Sequence, residues 1–296
     1  MVRLDFDKIL REKACAKINV SLDVLGVMPD GYHELDTVMV SLSLCDDVSV
    51  TLRHGETGVN VSVPGYSDIV PQDGSNTAAR AALWFFETLG ITGVCADIEI
   101  TKRIPVGAGL GGGSADAAAV LRALNTLCGE PCTAEKLREI GLDVGADVPF
   151  CISGGTVRAG GRGEVMTRLA DFPDCVIVLV KPAFSISTAE LYNKIDSVKI
   201  VARPDTDNLC AAIASSDLQS AAQRCFNVFE QALPPAQLAS VTEIKKTLID
   251  GGALCAAMTG TGSVVFGVFE DADAASVAKD ALSRSFETFL CQPERT

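Results

Sequence analysis

Hydrophobic and polar positions alternate with a period of two at several places along the chain. The clearest case is VSVTL within residues 37–52, and apolar runs at 15–26, 95–104 and 175–181 end close to turn-forming residues. Successive side chains of a strand point to opposite faces, so this pattern predicts strands at these places, with 37–52 forming one strand or two. Residues 256–269 are also rich in strand-forming types.

A spacing of three to four residues between apolar positions marks other stretches. It predicts helices at 76–89, 114–127, 133–140, 218–232 and 236–250. Because strands come first and helices follow without βαβ alternation, the pattern favours an α+β fold over a doubly wound parallel sheet. The first three helices begin with side chains that commonly cap a helix N-terminus, namely Asn76, Ser114 and Thr133.

The overall composition is typical of a folded protein without a membrane span. Of the 296 residues, 48% are hydrophobic and 21% are charged. No apolar run reaches the roughly eighteen residues that cross a bilayer. The N-terminal stretch MVRLDFDKILREK is charged where a signal peptide would be apolar. We therefore expect a globular, cytoplasmic protein that does not associate with membranes.

Charge and cysteine usage narrow the possible partners. The formal net charge is −13 and no run of basic residues is longer than a pair such as Lys245 and Lys246, so we expect no nucleic-acid partner. The eleven cysteines include no CxxC pair, and only two histidines could join them as metal ligands. We expect buried reduced thiols rather than a metal site or a disulfide framework. Examples in apolar contexts are Cys15, Cys95, Cys151 and Cys255.

The segment IPVGAGLGGGSADAAAVL at 104–121 has the composition of a loop that binds an anion. It follows a predicted strand and runs into a predicted helix, which a flexible linker would not do. Glycines let backbone N–H groups converge, and the first helical turn adds unpaired donors and a partial positive charge, which suits phosphate. The alternative is a tight turn whose glycines serve packing alone. The glycines are Gly107, Gly109, Gly111, Gly112 and Gly113.

Three familiar phosphate-binding patterns do not fit their surroundings here. The stretch contains GxGxxG at 107–112, but a dinucleotide-binding fold needs a strand after the helix, and this helix is followed by a second helix. The Walker A pattern requires a Gly-Lys pair, which the chain lacks. The glycine loop of protein kinases leads into a strand and acts with HRD and DFG motifs, which are absent from the sequence.

The segment resembles the second motif of the GHMP kinases, Pro-x3-Gly-Leu-Gly followed by small residues and a helix. Three more stretches are similar to this family and occur in the right order: AKINVSLDVLGVMPDGYHELDTV at 16–38, GADVPFCISGGTVRAGGRGE at 145–164 and MTGTGSVVFGVF at 258–269. The longer form GLGGGSADAA looks like that of members whose acceptor alcohol carries a cytidine diphosphate group. The residues that match the second motif are Pro105, Gly109, Leu110, Gly111, Gly112, Gly113 and Ser114.

The resemblance implies a domain organisation and a reaction. It implies a two-lobe α+β GHMP kinase fold, with an N-terminal lobe like domain 2 of ribosomal protein S5 at 1–165 and a ferredoxin-like C-terminal lobe at 166–296. It also implies ATP as phosphoryl donor, Mg²⁺, and a small-molecule acceptor with a cytidine diphosphate group. We expect the chain to be a monomer or a weak homodimer.

Two polar residues match the catalytic positions of the family. Phosphoryl transfer needs a group that orients or deprotonates the acceptor hydroxyl, and the resemblance assigns that role to Asp147, with Lys17 as its electrostatic partner. Without the resemblance, Asp147 lies between a predicted helix and an apolar predicted strand, where a turn or helix cap is the simpler interpretation. Lys17 alone is compatible with a solvent-facing lysine at a strand edge.

The stretch PDGYHEL combines a reverse turn with two residues that the turn does not need. Residues 29–31 form the turn, whereas the resemblance implies that Tyr32 stacks on the cytosine and that His33 hydrogen-bonds to it. A histidine exposed in the turn is the alternative. Further residues that the resemblance assigns to the substrate are Asn19, Thr188 and Tyr192.

Residues around the glycine loop are assigned to the nucleotide. Lys102 matches a lysine near the adenosine, with a solvated strand-end lysine as the alternative. Asn76 either reaches the nucleotide or simply caps its helix. Ser114 can cap its helix and direct its hydroxyl to a phosphate or to Mg²⁺. The other members of this nucleotide-binding set are Pro105, Gly107, Gly109, Leu110, Gly111, Gly112 and Gly113.

Two other functions stay open on the sequence alone. The chain could be a GHMP kinase for another small alcohol, such as homoserine or a mevalonate derivative, although such acceptors have no base to stack on Tyr32 and Tyr192. It could also be a catalytically silent nucleotide-binding member of the same fold, although both Lys17 and Asp147 are present.

Overall fold

The computed structural model describes residues 3–295, which divide into two compact units. The first unit holds residues up to 16, 45–106 and 111–153, and the second holds 17–44, 107–110 and the residues from 154 onward. Two long strands, β1 (Ile9–Val27) and β2 (His33–His54), contribute residues to both units. The predicted lobe boundary at residue 165 stays a prediction.

The first unit is a sheet whose apolar face is covered by helices. Strand β4 (Val94–Thr101) pairs antiparallel with the second half of β2, and β3 (Gly58–Ser62) pairs parallel with β4. Side chains of β2 and β4 alternate between the two faces, so Val48 and Ile100 lie in the core with the alanine-rich helix α2. The helices are α1 (Thr77–Leu89), α2 (Gly112–Leu127), α3 (Ala134–Val144) and α4 (Val148–Ser153).

The second unit contains a four-stranded antiparallel sheet in the order β11-β7-β10-β9, packed against helices. The first half of β2 pairs with β5, which pairs with β6, and β8 runs parallel to β1. The strands are β5 (Thr156–Gly160), β6 (Val165–Arg168), β7 (Val176–Lys181), β8 (Phe226–Asn227), β9 (Cys255–Met258), β10 (Val265–Phe269) and β11 (Glu287–Cys291). The helices are α5 (Thr188–Ile195), α6 (Thr206–Ala214), α7 (Leu218–Ala222), α8 (Pro235–Asp250), α9 (Ala272–Leu282) and a 3₁₀ turn at Val228–Ala232.

The predicted helix caps have a mixed outcome. Asn76 Oδ1 accepts from Ala78 N at 2.8 Å, and the side chain of Thr133 accepts from Lys136 N, so both predicted caps are confirmed. The prediction for Ser114 is wrong. Helix α2 begins two residues earlier, after Gly111 in the left-handed conformation, which makes Ser114 the third helical residue.

Several predicted elements differ from the structure. The predicted strand after Asp147 is instead the short helix α4. The apolar run at this place is only six residues long, which corresponds to about one and a half helical turns. The predicted helix at 218–232 is α7, the two-residue strand β8 and a 3₁₀ turn; Asn227 divides it, since its side chain accepts from Phe229 N and caps the 3₁₀ turn. The predictions did not include β3, β5, β6, β11, α5, α6 and α9.

The expectation of reduced cysteines is wrong for one pair. Cys15 on β1 and Cys45 on β2 form a disulfide between neighbouring strands of the first unit, with the Cα atoms 3.9 Å apart. They are 30 residues apart in sequence, and the pairing of β1 with β2 brings them together. The other nine cysteines are free.

Within residues 3–295, no helix combines the length and apolar character needed to span a membrane.

Candidate active site

The glycine loop connects Pro105, which is buried, to the N-terminus of α2. Its central residues 107–110 belong to the second unit, where Leu110 O accepts from Lys17 N at 3.0 Å and Ala108 O accepts from Val264 N at 3.3 Å. These bonds fix the loop backbone at two points. The amides of residues 112–114, at the start of α2, precede the first helical hydrogen bond, from Ala115 N to Gly111 O at 2.8 Å, and are suited to bind an anion.

Gly109 cannot be replaced without moving its neighbours. Its φ is +78°, and a Cβ placed on it would lie 2.7 Å from Thr259 O and 3.0 Å from Gly262 O. The glycine turn at 258–262 therefore packs directly on the loop. Asn227 Nδ2 holds that turn by donating to Met258 O at 2.7 Å and to Gly260 O at 2.8 Å. The close approach explains why a glycine is needed at position 109.

Lys102 lies in a buried ion-pair cluster at the start of the loop. Its side chain is 4% exposed, and Nζ lies 2.5 Å from Asp46 Oδ2 and 2.7 Å from Asp116 Oδ2. Asp46 Oδ1 also accepts from the backbone N of Arg103 and of Ile104, at 2.5 and 2.8 Å. The solvated-lysine alternative for Lys102 is therefore wrong. The cluster anchors the first residues of the glycine loop to β2 and α2.

Burial and charge shift the pKa values in this cluster in opposite directions. Burial raises the pKa of Asp116 to about 7, with the nearby Asp46 adding to the effect and Lys102 opposing it. Burial lowers the pKa of Lys102, but the charges of Asp116 and Asp46 outweigh it and the pKa is raised overall. Asp116 Oδ1 is buried without a hydrogen-bond partner among residues 3–295. Lys102 thus stays charged, whereas Asp116 is the group whose charge is costly.

Asp147 is half-buried and directly precedes α4 in the first unit. Its carbonyl accepts from Cys151 N at 3.0 Å, which places it at the N-cap position of that helix and confirms the helix-cap interpretation of its backbone. Gly145, two residues earlier, lies against Ser114, because a Cβ on Gly145 would be 3.9 Å from Ser114 Oγ. The Ser114 hydroxyl and the segment of Asp147 are therefore neighbours in the first unit.

Asn76 sits at the start of α1, beside the N-terminus of α2. It is 5% exposed, and both ends of its amide are used, by Ala78 N and by Pro71 O. The N-termini of the two helices are close, since a Cβ on Gly113 would lie 2.9 Å from Thr77 Oγ1. Asn76 is a helix cap, and a contact between it and the nucleotide stays a prediction.

Lys17 and Asn19 lie in a buried polar network of the second unit. Lys17 is 4% exposed and donates from Nζ to Asn19 Oδ1 at 2.9 Å, so the solvent-facing alternative is wrong. Asn19 Nδ2 donates to Thr37 Oγ1 at 2.8 Å, and Asn19 N donates to Thr259 Oγ1 at 2.9 Å. Asn19, two residues further along β1, therefore orients the Lys17 ammonium through its side-chain amide.

The rings of the PDGYHEL stretch and α5 meet in the second unit. His33 and Tyr192 have ring centroids 4.8 Å apart, and Tyr192 packs edge-on against the buried Phe229 at 4.9 Å. His33 Nε2 lies 2.8 Å from Asp196 Oδ1, and the His33 side chain is 13% exposed. The alternative of an exposed turn histidine is wrong.

Tyr32 differs from His33 in remaining exposed. Its side chain is 56% exposed, and the Arg162 guanidinium lies over one face of the ring, with Cζ 3.8 Å from the centroid. Arg162 also pairs with Asp30 at 2.5 Å. A hydrogen bond from Tyr32 N and the Arg162 partner lower the pKa of Asp30. With one ring face covered by Arg162, stacking on Tyr32 is limited to the other face.

Sequence patterns alone did not point to several of these residues. Asp46 looks like part of a polar turn and Asp116 like a polar position of an alanine-rich helix, and neither has a periodic signal of burial. The same holds for residues that hydrogen-bond to predicted site residues from distant segments. Thr188 Oγ1, for example, lies 2.9 Å from Thr261 Oγ1. The missed residues are Asp46, Asp116, Thr37, Thr259, Thr261, Asn227, Arg162, Asp196 and Phe229.

Two family models match this chain. The GHMP kinases N terminal domain matches residues 76–155, which include the glycine loop and Asp147. The GHMP kinases C terminal domain matches residues 209–288. The chain belongs to the GHMP kinase family.

Several proteins similar to this chain carry the name of one enzyme. The chain is 42% identical to the 4-diphosphocytidyl-2-C-methyl-D-erythritol kinase of Acetivibrio thermocellus, over 95% of this chain and 97% of that one. The enzyme of the same name from Clostridium tetani is 41% identical, over 90% of this chain and 93% of that protein. A crystal structure of 4-(cytidine 5'-diphospho)-2C-methyl-D-erythritol kinase aligns with a TM-score of 0.78 at 29% identity, covering 97% of this chain and 100% of the other.

A homoserine kinase from Cytophaga hutchinsonii aligns with a TM-score of 0.77 at 20% identity, over 99% of this chain and 97% of that one. At that identity, the likeness shows the fold alone. The GHMP kinase fold predicted from the sequence is confirmed.

Proposed function

We propose that this chain transfers the γ-phosphoryl group of ATP to the 2-hydroxyl of 4-diphosphocytidyl-2-C-methyl-D-erythritol, a step in non-mevalonate isoprenoid precursor synthesis. The observation that carries the substrate is the group of His33 and Tyr192 in the second unit, whose rings lie 4.8 Å apart. Homoserine and mevalonate have no base that such rings could bind. The relatives that carry the name of this activity cover nearly the whole chain.

The glycine loop binds the phosphates of ATP. Its converging amides and the N-terminus of α2 favour negative charge, and hydrogen bonds within the protein fix its backbone. Lys102 remains charged at the start of the loop, although two carboxylates already neutralise it. The main role of Lys102 is therefore to hold the start of the loop in place. A contact between Lys102 and the nucleoside would add to this role.

A Mg²⁺ ion fits this site only as part of the MgATP complex. Among residues 3–295, no three His, Cys, Asp or Glu side chains are grouped so that they could hold a metal. Mg²⁺ commonly keeps several waters and binds through substrate phosphates and one or two protein oxygens, and the Ser114 hydroxyl is suited to be one of these. The ion would offset charge on the phosphates, while Ser114 would orient them.

Asp147 accepts the proton of the acceptor hydroxyl, and Lys17 stabilises the oxygen as negative charge develops on it. Asn19 holds the Lys17 ammonium in one direction through a 2.9 Å hydrogen bond, so no reorganisation of that side chain is required during the reaction. Tyr32 offers its open ring face to the cytosine, and His33 hydrogen-bonds to the edge of the base. Thr188 contributes a hydroxyl from the first turn of α5.

An ADP-release assay tests this function directly. The protein is incubated with ATP, Mg²⁺ and either the cytidyl diphosphate substrate or 2-C-methyl-D-erythritol 4-phosphate, which lacks the cytidylyl group. We expect turnover with the first compound alone. Turnover with homoserine or mevalonate derivatives instead would make the chain a kinase of another alcohol. Binding of ATP without turnover on any acceptor would indicate a silent member of the family.

A further inference from the structure

Helix α5 presents three side chains at intervals of four residues, Thr188, Tyr192 and Asp196. A helix repeats every 3.6 residues, so positions i and i+4 lie on one face. Asp196 follows the helix as its C-cap with φ −64° and ψ −24°, which continues the helical geometry to that residue. Its carboxylate therefore lies on the same face as the Tyr192 ring. Two of these residues already belong to the proposed substrate site, and the third has no role in it.

Asp196 contacts the side chain that is proposed to read the base. Its Oδ1 lies 2.8 Å from His33 Nε2, and the Tyr192 ring packs on the same imidazole. Tyr192 is in turn supported by the buried Phe229. The His33 ring thus has contacts on two sides from one helix, and it cannot rotate without breaking the bond to Asp196.

A second carboxylate close to His33 in sequence is already engaged. Asp30, in the turn that precedes His33, pairs with Arg162 at 2.5 Å and accepts from Tyr32 N at 3.0 Å. Asp196 is half-exposed and pairs with His33. Asp30 therefore stabilises the turn, while Asp196 acts on the imidazole of His33.

We propose that Asp196 is a positioning residue that sets the preference for cytosine by fixing the His33 tautomer. A carboxylate only accepts hydrogen bonds, so the proton of the neutral imidazole lies on Nε2 and points to Asp196. Nδ1 is then left as an acceptor. Cytosine has an exocyclic amino group that can donate to it, whereas uracil has a carbonyl oxygen at that place and would set one acceptor against another.

This inference rests on the proposed function, since it deepens the assignment of His33 to the base. It differs from that assignment in a testable way. If Asp196 merely ended the helix, its loss would affect stability but would not alter the tautomer of His33 or the discrimination between bases.

The first test reads the tautomer without any turnover. The chain has two histidines, His33 and His54, so ¹⁵N labelling of histidine yields two ring systems, and His33→Ala assigns them. We expect the Nε2–H tautomer for His33 in the wild type and a mixture of tautomers in Asp196→Ala. Asp196→Asn keeps an acceptor oxygen and should restore much of the wild-type pattern. The matched control is Glu190→Ala, which removes an acid from the same helix, and His54 is the internal reference.

The second test compares the cytidyl substrate with its uridyl analogue. In Asp196→Ala we expect kcat/KM for the cytidyl compound to fall about tenfold or more through KM, and the preference over the uridyl compound to fall by a similar factor. KM for ATP should not change. Glu190→Ala should behave as wild type in all three measurements.

The outcomes separate the inference from the proposed function. An unchanged His33 tautomer in a folded Asp196→Ala protein, or an equal loss with both bases, would overturn the role of Asp196 while leaving the kinase function intact. If the wild type does not phosphorylate the cytidyl compound at all, the proposed function fails. In that case, the relative affinity of CDP and UDP for wild type and Asp196→Ala decides on Asp196 separately.

Discussion

Lys102 and Asp46 form a buried ion pair, 2.5 Å from Nζ to Oδ2, at the start of the glycine loop. The pair does not stand alone, because Asp116 on α2 contacts the same ammonium from 2.7 Å. One cation between two carboxylates leaves one negative charge in excess when both are ionised. Such an arrangement links the first residues of the loop to two elements of the first unit, but it makes the stability of that unit sensitive to pH.

The pH dependence of stability should change when Asp116 is replaced by Asn. The pKa of Asp116 is raised to about 7 in the fold, from about 3.8 in the unfolded chain. The folded state therefore holds the proton more tightly, and this stabilising contribution is fully present below about pH 4 and is lost as pH rises through 7. Relative to Asp116→Asn, the wild type should lose on the order of 2–4 kcal/mol between pH 4 and pH 8.

Urea unfolding without nucleotide or metal measures this difference, with Trp84, the single tryptophan, as a fluorescent probe in the first unit. Titrating groups outside this cluster contribute equally to both proteins and cancel in the comparison. Parallel stability curves for wild type and Asp116→Asn across this range would show that Asp116 is ionised throughout.

Gly109→Ala should damage the loop far more than Gly107→Ala. Both residues have positive φ, +78° and +67°, so an alanine is strained in either place. They differ in space: a Cβ at Gly109 would meet Thr259 O at 2.7 Å, whereas a Cβ at Gly107 would have no neighbour within 4 Å. We expect a cost of about 1–2 kcal/mol in the free energy of unfolding for Gly107→Ala and a clearly larger one for Gly109→Ala.

The kinetic effect should follow the same order. A Cβ at position 109 forces the loop away from the turn at 258–262, which displaces its amides from the phosphates, and KM for ATP should rise by about tenfold or more. Chemical denaturation and initial rates at varied ATP concentration measure both quantities. Equal losses in the two variants would mean that backbone strain, rather than the packing of the loop on the turn, controls this segment.

Local patterns predicted much of the fold, and the errors have a common cause. Asn76 and Thr133 were predicted as caps because capping depends on neighbours in sequence. Ser114 was predicted wrongly because glycines at 111–113, which usually break helices, here begin one. The break at Asn227 depends on its bonds to Met258 O and Gly260 O, about thirty residues away, which no local period can indicate.

The candidate site also contains residues that the sequence indicates and residues that it does not. Motif resemblance points to Lys17, Asp147 and the glycine loop as candidates, whereas residues that act through tertiary contacts have no signal in the sequence. Asp46 and Asp116 are separated by seventy positions and meet only at the Lys102 ammonium. Cys15 and Cys45 likewise meet only because β1 and β2 are neighbours. Buried polar clusters of this kind require the pairing of strands and helices to be known first.

Asp147→Asn should abolish turnover while ATP still binds. The substitution removes the proton acceptor and keeps the shape, and general-base catalysis typically contributes about a hundredfold or more to the rate. We expect kcat to fall by at least that factor and the dissociation constant of ATP to stay within about twofold. Steady-state rates and calorimetric ATP binding measure these values. A variant that keeps more than about a tenth of the wild-type kcat would exclude Asp147 as the base.

Reduction of the Cys15–Cys45 disulfide should lower the stability of the protein. The bond closes a loop with a sequence separation of 30, and cross-links of that size restrict the unfolded chain by about 3–4 kcal/mol. Denaturant unfolding with and without a dithiol reductant should show a loss of this order in the wild type. The double variant Cys15→Ala, Cys45→Ala is the matched control, because it should have the lower stability under both conditions. The nine free cysteines are present in both proteins, so an equal response to reductant in the double variant would trace the effect to them and contradict the role of this disulfide.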